Sequence, residues 1–93
     1  MRSIKIRINE DIISPNIPMI KKEFNKVISE KKSKALELDF QNVSTIDSVG
    51  IGVLLYMRNE LSKYGKKLII INASQYIANF INITNMNQII DIM

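Results

Sequence analysis

A hydroxyl, a carboxylate and two glycines lie together in Asp47-Ser48-Val49-Gly50-Ile51-Gly52. An apolar helical pattern starts directly after Ser48, carried by Val49, Ile51, Val53, Leu54, Leu55 and Met57. Ser48 therefore falls where a helix N-cap is expected, its hydroxyl accepting a hydrogen bond from a free N–H of the first turn. The same unpaired N–H groups and the helix dipole favour an anion such as a phosphate. Asp47 reads as a turn residue that hydrogen-bonds the loop backbone and holds Ser48 in place, or as a like charge beside any anion at Ser48. By pattern alone the plain cap is the default for Ser48. Gly50 and Gly52 each cost roughly 1 kcal/mol against Ala inside a helix. Tight packing of the helix on a sheet, or close approach of a partner, has to offset that cost.

Other chemistry is scarce. The 93 residues contain no Cys and no His. That removes disulfides, thiolate metal sites, Cys nucleophiles, the commonest general base and every Ser-His-Asp arrangement. Asp39 and Asp47 alone make too thin a constellation for acid–base catalysis. The expectation is a protein that is not an enzyme and uses neither metal nor cofactor. The length suits one domain with one core, and the apolar share of 46% and charged share of 24% are ordinary globular values. The net charge of +4 comes from scattered Lys, with a modest cluster at Lys31, Lys32 and Lys34. Three Phe, three Tyr and no Trp, mostly at core-like spacing, do not make the basic, aromatic-lined groove that nucleic acid needs. No apolar run approaches the roughly 20 residues of a membrane span. The alternating, charged start Met1-Arg2-Ser3-Ile4-Lys5-Ile6-Arg7-Ile8 is not a signal peptide. The expected location is cytoplasmic.

The elements that must position Asp47 and Ser48 follow from periodicity. Ile4, Ile6 and Ile8 alternate with Lys5 and Arg7, which predicts a half-buried strand over 3–8. Ile12 and Ile13 lie in a connecting loop and reach back to the core. Asn16 is a candidate N-cap, Pro18 falls in a first turn, and Ile17, Ile20, Phe24, Val27 and Ile28 recur at helical spacing up to an end near 30–32. Ala35 to Phe40 predicts a central strand, covered on one face by helices. The helix that begins at Ser48 stops at Tyr64-Gly65, with Gly65 as a left-handed cap. Lys67 to Asn72 predicts a buried parallel strand. Ser74 caps a third helix with Tyr76, Ile77, Phe80 and Ile81 as its apolar stripe, ending near Asn82. Ile89 to Ile92 forms a short last strand. The order β-α-β-α-β-α-β predicts an α/β domain, with a small, mostly parallel sheet packed against helices.

With its flanks, Val43-Ser44-Thr45-Ile46-Asp47-Ser48-Val49-Gly50-Ile51-Gly52-Val53-Leu54 resembles the signature of STAS domains, and more narrowly the bacterial anti-sigma factor antagonists. That signature runs apolar strand, a few residues, Asp-Ser-x-Gly-aliphatic-Gly, apolar helix. Gly65 to Ile70, Ser74 to Ile81 and Met86 to Ile90 are similar to the segments that follow it in the family. The resemblance spans roughly nine-tenths of the chain, with boundaries good to a few residues, and implies a single STAS-like domain over 1–93. It further implies that Ser48 is phosphorylated by an anti-sigma factor that is also a Ser kinase. The unphosphorylated form would bind that partner and free the sigma factor, the phosphorylated form would be released, and a Ser phosphatase would reset it. Partner contacts would come from Asp47, Ser48, Val49 and Gly50, and from Asp11 and Ile12 in the first loop.

Two features depart from the family pattern. The first loop usually reads Gly-x-aliphatic-Asp, whereas Glu10-Asp11-Ile12-Ile13 stands here, which bears on the partner's identity more than on the fold. The family's extra N-terminal strand and C-terminal helix find no room, and a monomer or weak dimer is expected. The alternative implied by the same motif is a STAS subunit of a lipid-transport ABC system that binds its ATPase constitutively.

Overall fold

The computed structural model describes residues 2–30 and 32–93. Met1, and Lys31 of the basic cluster, lie outside the described residues. The chain runs β1 (Ser3–Arg7), a 3-10 turn (Ser14–Asn16), α1 (Ile17–Val27), β2 (Ala35–Asp39), α2 (Ser48–Ser62), β3 (Lys67–Ile71), α3 (Gln75–Ile83), a 3-10 turn (Met86–Gln88) and β4 (Asp91–Ile92). The four strands form one sheet in the order β1-β2-β3-β4. Every pair is parallel, with Ile4 beside Leu36, Leu36 beside Leu68, and Ile70 beside Ile92. This is the α/β architecture that the alternation of elements predicts.

Sequential strand order makes each crossover run the same way, and right-handed crossovers then stack the helices on one face. The burial follows. Leu36, Leu38, Leu68 and Ile70 share a core with Ile20 and Phe24 of α1, Leu54, Met57 and Leu61 of α2, and Ile77 and Ile81 of α3. The alternate positions Lys5, Arg7, Glu37 and Lys67 line the other face. On that face Asp39 is nevertheless 1% exposed. Its Oδ2 accepts from Nε and Nη2 of Arg7 at 3.2 and 3.1 Å. Its Oδ1 accepts from the Gln41 N–H at 2.9 Å and from Asn72 Nδ2 at 3.1 Å. Those donors, the Gln41 N–H foremost, hold the Asp39 carboxyl below its ordinary pKa. The carboxylate is committed to holding the strand ends.

Several boundaries move. Asn16 occupies the residue before α1 but makes no side-chain cap. Its amide instead donates to the Asp11 carbonyl at 2.9 Å, because the 3-10 turn already winds the entry. α1 stops at Val27, short of 30–32. Lys66 Nζ reaches the Ile28 carbonyl at 3.0 Å and also the Glu30 carbonyl, which gives the released carbonyls after α1 a cationic donor. Gly65 takes φ +69°. Its N–H bonds the Ser62 carbonyl and the Lys66 N–H bonds the Leu61 carbonyl, both at 3.0 Å, the paired bonds of a Schellman stop. Tyr76 is 58% exposed rather than part of the core. The last strand shrinks to Asp91–Ile92 because a 3-10 turn takes Met86–Gln88.

Candidate functional site

Two loops meet at the end of the sheet where β1 and β2 finish. Ile12 and Ile46 form an isolated parallel bridge, with the Ile12 N–H donating to the Thr45 carbonyl at 3.1 Å and the Asp47 N–H to the Ile12 carbonyl at 3.2 Å. Both side chains are buried, at 1% and 2% exposure. This small clasp extends the β1–β2 pairing past the strand ends and fixes where α2 begins.

Two carboxylates lock the clasp. Asp11 Oδ1 accepts from the Ser44 N–H at 2.8 Å and the Thr45 N–H at 3.2 Å, so the first loop supplies hydrogen-bond acceptors to the second. Asp47 answers from the other side. Its Oδ1 accepts from the Gly50 N–H at 2.8 Å and its Oδ2 from the Ser14 N–H at 3.1 Å. These backbone donors, Gly50 first, hold the Asp47 carboxyl below its ordinary pKa. Asp47, and not Ser48, is the N-cap of α2. The physical reason is reach. Asp47 has extended backbone, φ −105° and ψ −177°, which aims its carboxylate at the third N–H of the helix, while Ser48 is already the first helical residue.

Ser48 is thereby released. It is exposed on the first turn of α2, and no hydrogen bond among the described residues engages its Oγ. Val49 beside it is 50% exposed. Gly50 is buried for a clear reason. A Cβ there would lie 2.1 Å from the Ile12 carbonyl oxygen and 2.8 Å from Cγ2 of Ile12 and Cγ1 of Ile46. The clasp passes so close under α2 that only hydrogen fits. Gly52 differs, since a Cβ there meets nothing within 4 Å, and its turn faces solvent.

Of the six residues expected at the site, Asp47, Ser48, Val49 and Gly50 share the first turn of α2, and Asp11 lies in the loop locked to it. Ile12, expected as a partner contact, is corrected: its side chain is sealed beneath Gly50 and can act only by supporting the helix. Sequence reasoning missed Ser14, whose N–H meets Asp47. It also missed the outward surface formed by Gly52 and Leu55, the latter 41% exposed. The spacing of Ser48, Gly52 and Leu55, one and two turns apart, carries that signal.

The STAS domain model matches residues 2–93, and the chain belongs to the STAS domain family. Among solved structures, a putative anti-sigma factor antagonist from Thermotoga maritima superposes with TM-score 0.85 at 21% identity, covering 97% of this chain and 77% of the other. The anti-sigma factor antagonist SpoIIAA in its unphosphorylated form gives TM-score 0.72 at 18% identity, covering 99% and 79%. A sulfate transporter family protein from Wolinella succinogenes gives TM-score 0.76 at 18% identity, covering 92% and 69%. At such identities the likeness is one of fold. No helix among the described residues is long and apolar enough to cross a membrane.

Proposed function

We propose that this STAS domain is an anti-sigma factor antagonist that works by partner switching. Unphosphorylated, it binds an anti-sigma factor with Ser kinase activity. Phosphorylated on Ser48, it lets go, and a Ser phosphatase restores it. The observation that carries this reading is the idle hydroxyl: Ser48 is exposed while Asp47 performs the capping that a Ser would otherwise do. Support also comes from the fold shared with SpoIIAA, which is known in a phosphorylated form.

The switch needs no unfolding. A phosphate adds about −1.5 to −2 charges at a helix start whose dipole tolerates them. A partner surface fitted to a neutral hydroxyl then meets charge and desolvation, with Asp47 adding repulsion nearby. A tenfold loss of affinity takes only about 1.4 kcal/mol. Asp47 and Asp11 position the loop, Val49 and the outward surface at Gly52 touch the partner, and Gly50 lets the helix sit down on the clasp. The protein acts by binding in the cytoplasm and is not a catalyst.

A second reading keeps the fold and drops the chemistry. The likeness to a sulfate transporter family protein supports a transport-associated STAS subunit, of which a lipid-transport ABC system with a constitutively bound ATPase is one form. Mass spectrometry after incubation with the cognate kinase and ATP separates the two. Phosphate on Ser48, absent in Ser48→Ala, is the expected result, together with at least a tenfold loss of partner affinity in Ser48→Asp. An unmodified Ser48 with every cognate kinase, or full affinity in Ser48→Asp, transfers the case to the transport reading.

A further inference from the structure

The charge of this chain is divided between its two ends. Asp11 and Asp47 stand with Ser48 where β1 and β2 finish. The strands begin at the other end, and α1 and α2 finish there. Three pieces of chain meet at that base: the residue before β1, the loop before β2 and the loop before β3. The Lys34 N–H donates to the Arg2 carbonyl at 2.8 Å and the Lys67 N–H to the Lys34 carbonyl at 3.1 Å. Three cationic residues therefore lie side by side across three strands. Lys32, Lys63 and Lys66 belong to the same loops or their edges. Only two carboxylates stand among these six cations, and both are occupied. Glu30 accepts from the Lys32 and Ser33 N–H groups, each at 2.8 Å, and Glu60 pairs with Lys63 at 2.6 Å. Lys66 is committed to the carbonyls after α1. Arg2, Lys32, Lys34 and Lys67 are exposed, and no ion pair among the described residues engages them.

The make-up of this base selects the occupant. Its cations come from separate stretches of chain gathered at one end of the domain, an array suited to a plane of negative charge. Five of the six are Lys, a mobile point charge, rather than Arg, whose rigid fork fits the fixed geometry of a carboxylate or a nucleic-acid phosphate. One aromatic ring stands among them, too few for the stacked bases of a nucleic acid. That ring is Tyr64, 55% exposed and flanked in sequence by Lys63 and Lys66. An amphipathic ring beside Lys suits the headgroup level of a bilayer. We propose that this end of the domain docks on an anionic lipid surface. The exposed cations supply the attraction, each strengthening binding severalfold near such a surface, and Tyr64 seats among the headgroups. Ser48, at the opposite end of the strands, then lies away from the lipid and open to a partner.

The test is co-sedimentation of the whole chain with vesicles, either pure phosphatidylcholine or phosphatidylcholine with about 30% phosphatidylserine. Binding is expected to the anionic vesicles alone, fading between about 50 and about 500 mM salt. Lys34→Gln combined with Lys67→Gln should lower the partition coefficient at least ~10-fold. Lys22→Gln combined with Lys26→Gln removes the same charge from the outer side of α1 and should lower it less than ~3-fold. All four side chains are exposed, and thermal melts verify that both variants fold. Equal binding to neutral vesicles overturns the proposal, as does no binding to anionic ones or an equal loss in the two variants. Tighter binding to duplex DNA or to polyglutamate than to the vesicles, at equal concentration of negative charge, gives the surface to that partner and overturns the lipid assignment. None of these outcomes depends on Ser48 carrying phosphate.

Discussion

Ser48 and Ser74 stand at the starts of two helices, each just after a parallel strand and its loop, and they have opposite fates. The Ser74 hydroxyl accepts from the Ile77 N–H at 3.1 Å and closes the first turn of α3. The Ser48 hydroxyl does nothing of the kind, because Asp47 one residue earlier takes the corresponding N–H of Gly50 at 2.8 Å. Asp47 has a second oxygen, and spends it on Ser14 in the neighbouring loop, which a hydroxyl serving as cap could not do as well. A one-residue shift in the cap thus leaves one serine as structure and the other as free surface. A helix start that must present a reactive hydroxyl needs another residue to satisfy its N–H groups, and an acidic residue immediately before the serine meets that need.

The contrast can be broken from beneath. Gly50→Ala forces a Cβ into the Ile12 carbonyl oxygen, and the backbone on both sides is fixed by the clasp. The expected loss is about 1–3 kcal/mol or more, read as a large fall in denaturation midpoint. An unchanged midpoint would mean that the clasp yields easily. Next in size is Asp47→Asn, which sets an amide N–H against the Ser14 N–H and removes the charge at the cap. The Asp47 pKa is depressed on folding, so its contribution is present above the ordinary carboxylate range of about 3.9 and is lost as pH falls through the lower folded value. Thermal melts from neutral pH to about pH 2 should show the variant less stable at neutrality and less sensitive to acid than the wild type. Parallel acid limbs in the two proteins would remove Asp47 from the capping role.

The serines themselves give the smaller, sharper comparison. Ser74→Ala should cost about 1 kcal/mol as a lost cap. Ser48→Ala should stay within about 0.5 kcal/mol, as a surface change does. Equal losses in urea unfolding would show that Ser48 caps after all. Gly52→Ala should run the other way. With open space at its Cβ position, it should gain roughly 0.5–1 kcal/mol of helix stability while placing a methyl on the surface proposed to meet the partner. A gain in stability with a drop in partner affinity, measured by calorimetry, marks Gly52 as a contact.

The sheet was legible because its signals are local. Alternation in Ser3 to Ile8, the apolar run Leu68 to Ile71 and the helical spacing of Ile17, Ile20 and Phe24 each encode which face is buried, and the order of the elements then leaves few topologies. The stop at Gly65 and the cap at Ser74 were equally readable, since each involves neighbours within five residues. Asn16 was not, because its amide goes to the Asp11 carbonyl in a turn the spacing does not reveal. Tyr76 departs from the expected core stripe for a related reason, whereas Phe80 is partly buried against the core. Periodicity finds an apolar stripe, but it does not say that the edge of the stripe at Tyr76 faces solvent.

By itself the sequence determined the α/β order, the family resemblance through Asp47-Ser48-Val49-Gly50-Ile51-Gly52, and the absence of Cys and His. Tertiary structure decided which residue caps α2, why Gly50 must lack a side chain, and that Ile12 is sealed beneath Gly50. Asp11 and Ser44, or Ser14 and Asp47, are 33 positions apart in the chain. Hydrogen bonds between such residues depend on where the two loops come to rest after the strands have paired, and no local pattern of residues encodes that distance.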